Sequence, residues 1–206
     1  MESDFARLNR RQLLRAGVGA LALGALSTGG TFAADPLAPA VPSSILASNR
    51  LVTYYGNPWA AGMGILGQLS KADLVADLRR RAAQYVAAGN RPVLPTIHMV
   101  VTTAQAGPGA DGLYRARMPA SVINDYVQLA AANNMLFIAD VQVGRSTVAD
   151  EVAAIQNILA KPNVHLALDP EFDMWGSQVP GVEIGHMTAA EINHALGVMG
   201  DLASAT

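Results

Sequence analysis

The chain contains no cysteine. That removes disulfides, thiolate zinc sites, iron–sulfur clusters and thiol nucleophiles together. It is also poor in charge: Asp, Glu, Lys and Arg make up 15% of the 206 residues, and the net charge is −2. No basic stripe interleaved with aromatics is present, so the electrostatic footprint of a nucleic-acid binder is missing. Aromatic residues reach only 5%, too few for an extended stacking platform. The apolar run from Ala16 to Leu26 is broken by Gly17, Gly19 and Gly24 and falls short of the roughly 20 residues a spanning helix needs. What the chain does have is hydrophobic residues, at 51%, a globular and not a disordered composition.

The N-terminus carries an address. Asn9-Arg10-Arg11-Gln12-Leu13-Leu14-Arg15 has paired arginines, a variable residue, two leucines and a further base, which is the pattern of a twin-arginine export signal. The apolar run follows it, and Thr31-Phe32-Ala33 places small residues at the −3 and −1 positions of a cleavage point. Residues 1–34 are therefore read as a twin-arginine signal peptide, with the twin-arginine export machinery as a first partner and a periplasmic or extracellular destination. With no cysteine after the apolar run there is no lipid-attachment residue, and no stable membrane anchor is expected. Residues 35–48, rich in Pro, Ala and Ser, read as a linker.

From residue 49 onward strands and helices alternate. Leu51–Tyr55, Pro92–Val101 and Leu136–Val141 are apolar runs of strand length, and Val164–Phe172 reads as a fourth strand that ends in two carboxylates, with ladder pairing stopping at Pro170. Between and after them, Ser70 with Asp73, Thr147 with Asp150 and Thr188 with Glu191 have the spacing of helix N-terminal caps. A further helix is expected over Pro119–Asn133, with Ile123, Tyr126, Val127 and Ala130 on one face. Four strand–helix units in alternation predict an α/β fold with a parallel sheet. The apolar strands suit a sheet covered on both faces. A complete (β/α)8 barrel takes ~250 residues, so residues 49–206 are read as the first four units of a TIM-type barrel, truncated. An open doubly wound sheet is the alternative.

Polar side chains collect where these strands end. Tyr54 and Tyr55 close the first strand, with Trp59 just beyond it. His98 shares a strand face with Thr96, Asp140 shares one with Gln142, and Asp169 and Glu171 stand at i and i+2 at the end of the fourth strand. Each has an ordinary alternative: a core tyrosine, a satisfied buried imidazole, an acid that caps the next helix. Their recurrence at four strand ends is the pattern of a barrel active-site rim. Three acids at close range cannot all ionise without a cation, so one carboxyl pKa should be raised, and Glu171, closest to the apolar cover of Phe172, Met174 and Trp175, is the one expected. Asp140, Asp169 and Glu171 are the candidate catalytic residues, and Tyr54, Tyr55, Trp59, His98 and Gln142 the candidate substrate-binding residues. No metal site and no cofactor is predicted. His165 is read as structural, and His186 and His194 lack ligand spacing. Gly62-Met63-Gly64-Ile65-Leu66-Gly67 is formally G-x-G-x-x-G, but Asn57–Ala61 separate it from the strand, and the second strand ends in His98-Met99-Val100-Val101 with no acid for a ribose. It is read as an irregular apolar loop.

The Asp-Pro-Glu strand end resembles the D-x-E of family-18 chitinases and family-25 lysozymes, secreted (β/α)8 glycoside hydrolases. The chain departs from family 18 in having Ala167 where that motif has another aspartate, and Pro170 between the acids. More broadly, Tyr55-Gly56-Asn57-Pro58 with Gly62–Gly67 and the later Asp-Pro-Glu-Phe resembles a group of exported bacterial barrel proteins of unknown activity. The hydrolase resemblance implies a proton donor at Glu171, with Asp169 orienting substrate or tuning the donor. The expected function is an exported carbohydrate-active hydrolase working by carboxylate general acid/base catalysis on a carbohydrate or other small polar substrate. Alternatives are a non-catalytic carbohydrate-binding protein and an incomplete barrel, inactive alone or paired as a homodimer.

Overall fold

A computed structural model describes residues 45–89 and 91–205. The signal segment 1–34 and the linker up to residue 44 lie outside the described residues. Five strands form one sheet: β1 (Arg50–Gly56), β2 (Val93–Ala104), β3 (Arg115–Arg117), β4 (Leu136–Val141) and β5 (Val164–Leu168). β1, β2, β4 and β5 are parallel neighbours in that order, and short β3 pairs antiparallel with the end of β2. Among the described residues the helices are α1 (Ile45–Ser48), α2 (Lys71–Ala87), α3 (Ala120–Ala132), α4 (Val148–Ala154), α5 (Gln156–Leu159) and α6 (Ala189–Ser204). The protein is thus α/β, with parallel strands alternating with helices. A doubly wound sheet reverses its strand order partway; here the parallel strands follow the sequence without reversal, as consecutive (β/α) units do.

Helix starts obey the spacing rules. Ser70 accepts from the Asp73 N–H, Thr147 from that of Asp150, and Thr188 with Glu191 forms a complete capping box. α2 buries Leu74, Val75, Leu78 and Ala82, and α3 buries Ile123, Tyr126, Val127 and Ala130, stripes at helical spacing. They pack on one face of the sheet, against Ile97, Met99 and Val101 of β2 and Phe137, Ala139 and Val141 of β4. Right-handed crossovers between sequential parallel strands put all connecting helices on that side. Each fully buried leucine here, such as Leu78, is worth about 2–5 kcal/mol against alanine. The other face carries Tyr55, His98 and Asp140 (below).

Three features depart from the sequence reading. The last residues of the predicted linker form α1, which buries Ile45 and whose Leu46 carbonyl accepts from Arg91. The third helix breaks at Ile155, which leaves helical geometry (φ −112°, ψ 11°), so α4 and α5 are separate. β2 runs on past a register shift between Val100 and Thr102 and carries the β3 arm. The shift sends Thr102 towards Glu151 on α4 and Thr103 towards Asn57 at the rim.

The loop after β1 lies backbone to backbone on the strand it leaves. A Cβ on Gly64 (φ 117°) would stand 2.4 Å from the Tyr55 carbonyl oxygen, and one on Gly56 (φ 146°) 2.8 Å from that of Met63. Positive φ and contact distance both demand glycine there. Gly64 and Gly67 of the G-x-G-x-x-G run thus serve chain packing, whereas Gly62 has open space around it.

Candidate active site at the strand ends

Strand parity sorts the candidate residues. Adjacent strand residues face opposite ways, so Tyr54 and Tyr55 part company. Tyr54 packs against the helix-side core and donates its hydroxyl to Asp77 of α2. Tyr55 turns to the opposite face, where the register places it beside His98, itself beside Ile138. Its ring meets the His98 imidazole edge to face, with centroids 5.1 Å apart at 83°. One row further along β4, Asp140 is buried and its Oδ2 lies 2.7 Å from His98 Nε2. An ionised carboxylate only accepts, so the imidazole donates.

Gln142 ties this pair to the end of β5. Its Oε1 accepts from the Ala104 N–H at 3.0 Å, and its Nε2 donates to Asp169 Oδ2 at 3.1 Å. The backbone contact fixes which end of the amide faces the acid. β5 ends at Leu168; Asp169 is still extended, and Pro170–Phe172 form a 3-10 turn. Glu171 therefore reaches the site from a turn and not from the strand face expected for it, and it is exposed. Proline at the first position of the turn explains the change, since it carries no N–H for the ladder.

Electrostatics binds the group together. Burial pushes the Asp169 carboxyl up to about 6, reinforced by Asp140 and Glu171 and opposed by the Gln142 hydrogen bond and by His98. The raised carboxyl among the three is thus Asp169, in place of Glu171, for which it was expected; Asp169 is the more buried of the two. Burial likewise pushes the Tyr55 hydroxyl up to about 12, with the charges of Asp140, Asp169 and Glu171 all adding. Tyr55 thus stands within electrostatic reach of all three acids. Oδ1 of Asp140 is buried and has no hydrogen-bond partner among the described residues, an acceptor left for a water or a ligand hydroxyl. No three His, Asp or Glu side chains among the described residues are disposed to hold a metal ion.

The structure thus gathers Tyr55, His98, Asp140, Gln142 and Asp169, with Glu171 beside them. Tyr54 is removed from the site by its place on the helix side. Trp59 is exposed and lines a separate hollow of about 290 Å³ with Asn57, Thr103 and Arg117. The sequence reading missed Asp173, which is buried, has an unpartnered Oδ2 among the described residues, and has its pKa raised to about 6 by burial and by Glu191. It also missed Trp175. The signal for Asp173 was the continued spacing of acids at 169, 171 and 173. No helix among the described residues is long and apolar enough to cross a membrane. No family model, curated protein or solved structure matches the chain.

Proposed function

We propose that the protein is an exported carbohydrate-active hydrolase that cleaves glycosidic bonds with its strand-end carboxylates. The observation that carries this reading is a carboxyl with its pKa raised to about 6, Asp169, held by Gln142 next to the buried His98–Asp140 pair. Glycoside hydrolysis asks for one carboxylic acid that keeps its proton and a second carboxylate that does not. Asp169 donates its proton to the leaving glycosidic oxygen as the bond to the anomeric carbon breaks. A water attacks that carbon and gives its proton to Glu171, which is exposed on the adjoining turn. Asp140, with one oxygen on His98 and one unpartnered, orients a substrate hydroxyl. Export by the twin-arginine pathway rests on residues 1–34 and accords with a polymeric substrate outside the cytoplasm. The test is release of reducing ends from a panel of cell-wall and plant polysaccharides. Asp169→Asn should lose about 10²–10³-fold in turnover, and a variant set in which Asp169→Asn and Glu171→Gln both keep full turnover overturns the assignment.

A second reading, sugar binding without turnover, is favoured by the rings left at the rim, Tyr55 at 38% exposure and Trp59 at 65%. Calorimetry with oligosaccharides beside the turnover assay separates the two, since binding heat with no product selects the second.

A homodimer remains part of the proposal. The outer edges of β1 and β5 are unpaired among the described strands, and exposed edges invite pairing. One two-fold axis along the strands would set β5 of each copy beside β1 of the other and make eight parallel strands. Apolar residues flank both edges: Leu46 and Tyr85 near β1, Ile192 and Leu196 near β5. Sedimentation of the cleaved protein as a monomer at all concentrations would rule this out.

A further inference from the structure

Trp175 combines two properties that folding alone does not require together: it is exposed and it is locked. Its ring is 46% exposed, so it contributes little to the core. Yet its Nε1–H donates to the His186 carbonyl at 3.0 Å, and its ring lies flat on the His186 imidazole, with centroids 4.8 Å apart at 15°. One face of the indole is thereby backed and its orientation set. Its own backbone N–H donates to Gln178 Oε1 at 2.8 Å.

The loop that carries the ring is pinned at several points to the strand ends. Gly144, just past β4, donates to the Phe172 carbonyl and accepts from the Met174 N–H, both at 2.8 Å. Arg145 donates from Nε and Nη2 to the Gln178 and Ser177 carbonyls, while its guanidinium lies 3.9 Å from the Tyr114 ring centroid. The far end folds back, with the Gly185 N–H on the Glu171 carbonyl at 2.7 Å and the His186 N–H on that of Asp173 at 3.1 Å. Gly185 sits so close that a Cβ there would stand 2.1 Å from the Asp173 carbonyl oxygen. The loop that holds the ring is therefore stitched to the backbone of Glu171, four residues before Trp175. A rigid aromatic with one open face, fixed beside carboxylates, has the form of a preorganised binding surface.

We infer that Trp175 is a sugar-binding platform on which the apolar face of a pyranose ring stacks, placing the neighbouring glycosidic bond over Asp169 and Glu171. This rests on the hydrolase reading for the acids, but the stacking itself does not. Locking the indole in advance removes the cost of ordering it when the ligand arrives. Glu171, exposed on the adjoining turn, supplies an acceptor for the ring's equatorial hydroxyls. The occupant is thus a pyranose unit of an oligosaccharide, presented edge-on to the acids.

The chain holds two tryptophans, which makes indole fluorescence a direct reporter. The protein, Trp59→Phe, Trp175→Phe, Trp175→Ala and Asp169→Asn are titrated with tetrasaccharides of glucose, N-acetylglucosamine and xylose. The saccharide-induced change in emission should persist in Trp59→Phe and vanish in Trp175→Phe. Affinity should fall about tenfold in Trp175→Ala and partly recover in Trp175→Phe. Asp169→Asn should still show the saccharide-induced emission change while losing turnover. Turnover or binding indifferent to Trp175→Ala overturns the platform and leaves the hydrolase reading standing. Saccharide binding weakened by Trp175→Ala, without hydrolysis by any form, overturns the hydrolase reading and leaves the platform. No response to any of the three sugars overturns the platform as well.

Discussion

Two carboxylate sites in this molecule face opposite ways in the physics of charge. On the helix side of the sheet, Glu151 of α4 has no exposed surface, and its oxygens accept from Arg115 Nε at 2.9 Å and from Arg117 at 2.7 and 2.8 Å. Burial pushes its carboxyl up, but the hydrogen bonds from Arg117 and Arg115 outweigh that and hold it below its usual range. At the strand ends, Asp169 has Asp140 and Glu171 for neighbours and only an amide and an imidazole to offset them, and its carboxyl is raised to about 6. The first site is a fastener, closed by two cations at once, which also clamp the β3 arm to the sheet. The second is open on one side and short of positive charge, an arrangement that weakens the fold and so calls for a use. A perturbed acid in itself says little; the sign of the perturbation and the presence of a partner separate structure from function.

The comparison breaks most readily at Glu151. Glu151→Ala leaves two arginines facing a buried gap and should cost about 3–5 kcal/mol of stability, measured by urea unfolding. A loss under about 1 kcal/mol would mean the arginines find water and the site is no fastener. At the strand ends the opposite is expected. Asp169→Asn and Asp173→Asn should each leave stability at pH 8 unchanged or raise it, by about 1 kcal/mol after allowing for solvent screening. Loss of stability in either would mark a structural acid. Acidity sharpens the contrast further. A raised folded-state pKa means stability from Asp169 and Asp173 falls as pH rises from about 4 to about 6. The lowered pKa of Glu151 acts the other way, its contribution being present above about 4.5 and lost as pH falls below that. Thermal midpoints should therefore flatten between pH 4 and 6 in Asp169→Asn, and below pH 4.5 in Glu151→Gln. The smallest effect belongs to an ion pair in water: Lys71 and Asp125 meet at 3.1 Å with both side chains exposed. Lys71→Ala should change stability by less than about 0.5 kcal/mol.

The contrast also tells what could be read from residue order. Helix starts at Ser70, Thr147 and Thr188 were legible because a cap is a local contract between residues three apart. The parallel order followed from strict alternation, and the strand-end gathering of His98, Asp140, Gln142 and Asp169 followed from period-two parity within each strand. Parity applied strictly would also have separated Tyr54 from Tyr55, since neighbours in one strand cannot share a face. The β3 arm was not legible, because three residues, Arg115–Arg117, carry no periodicity and owe their place to a glutamate far along the chain. Glu151 itself was a missed clue: it sits among Val148, Val152 and Ile155 on the buried face of its helix, where an acid demands a cation. Glu171 was misplaced by extending the strand through Pro170, and Trp175 was hidden because loop stitching by backbone hydrogen bonds leaves no pattern in side-chain type.

The loop behind β1 bears on how this chain can change over time. Strand and loop touch there without a side chain between them, so Gly56, Gly64 and Gly67 have almost no freedom to mutate; a Cβ on Gly67 would meet the Ala60 and Asn57 carbonyls at 2.7 Å. Gly62, in the same run, has open space around it. A library randomised across residues 56–67 and selected only for folding should return glycine at those three positions and a broad mixture at 62. Tyr55 hangs from the immobile part of that loop, so drift in the surrounding residues passes it by. The rim tyrosine stands on the least variable ground of its neighbourhood, while Trp59, three residues past Gly56, stands where variation is cheap.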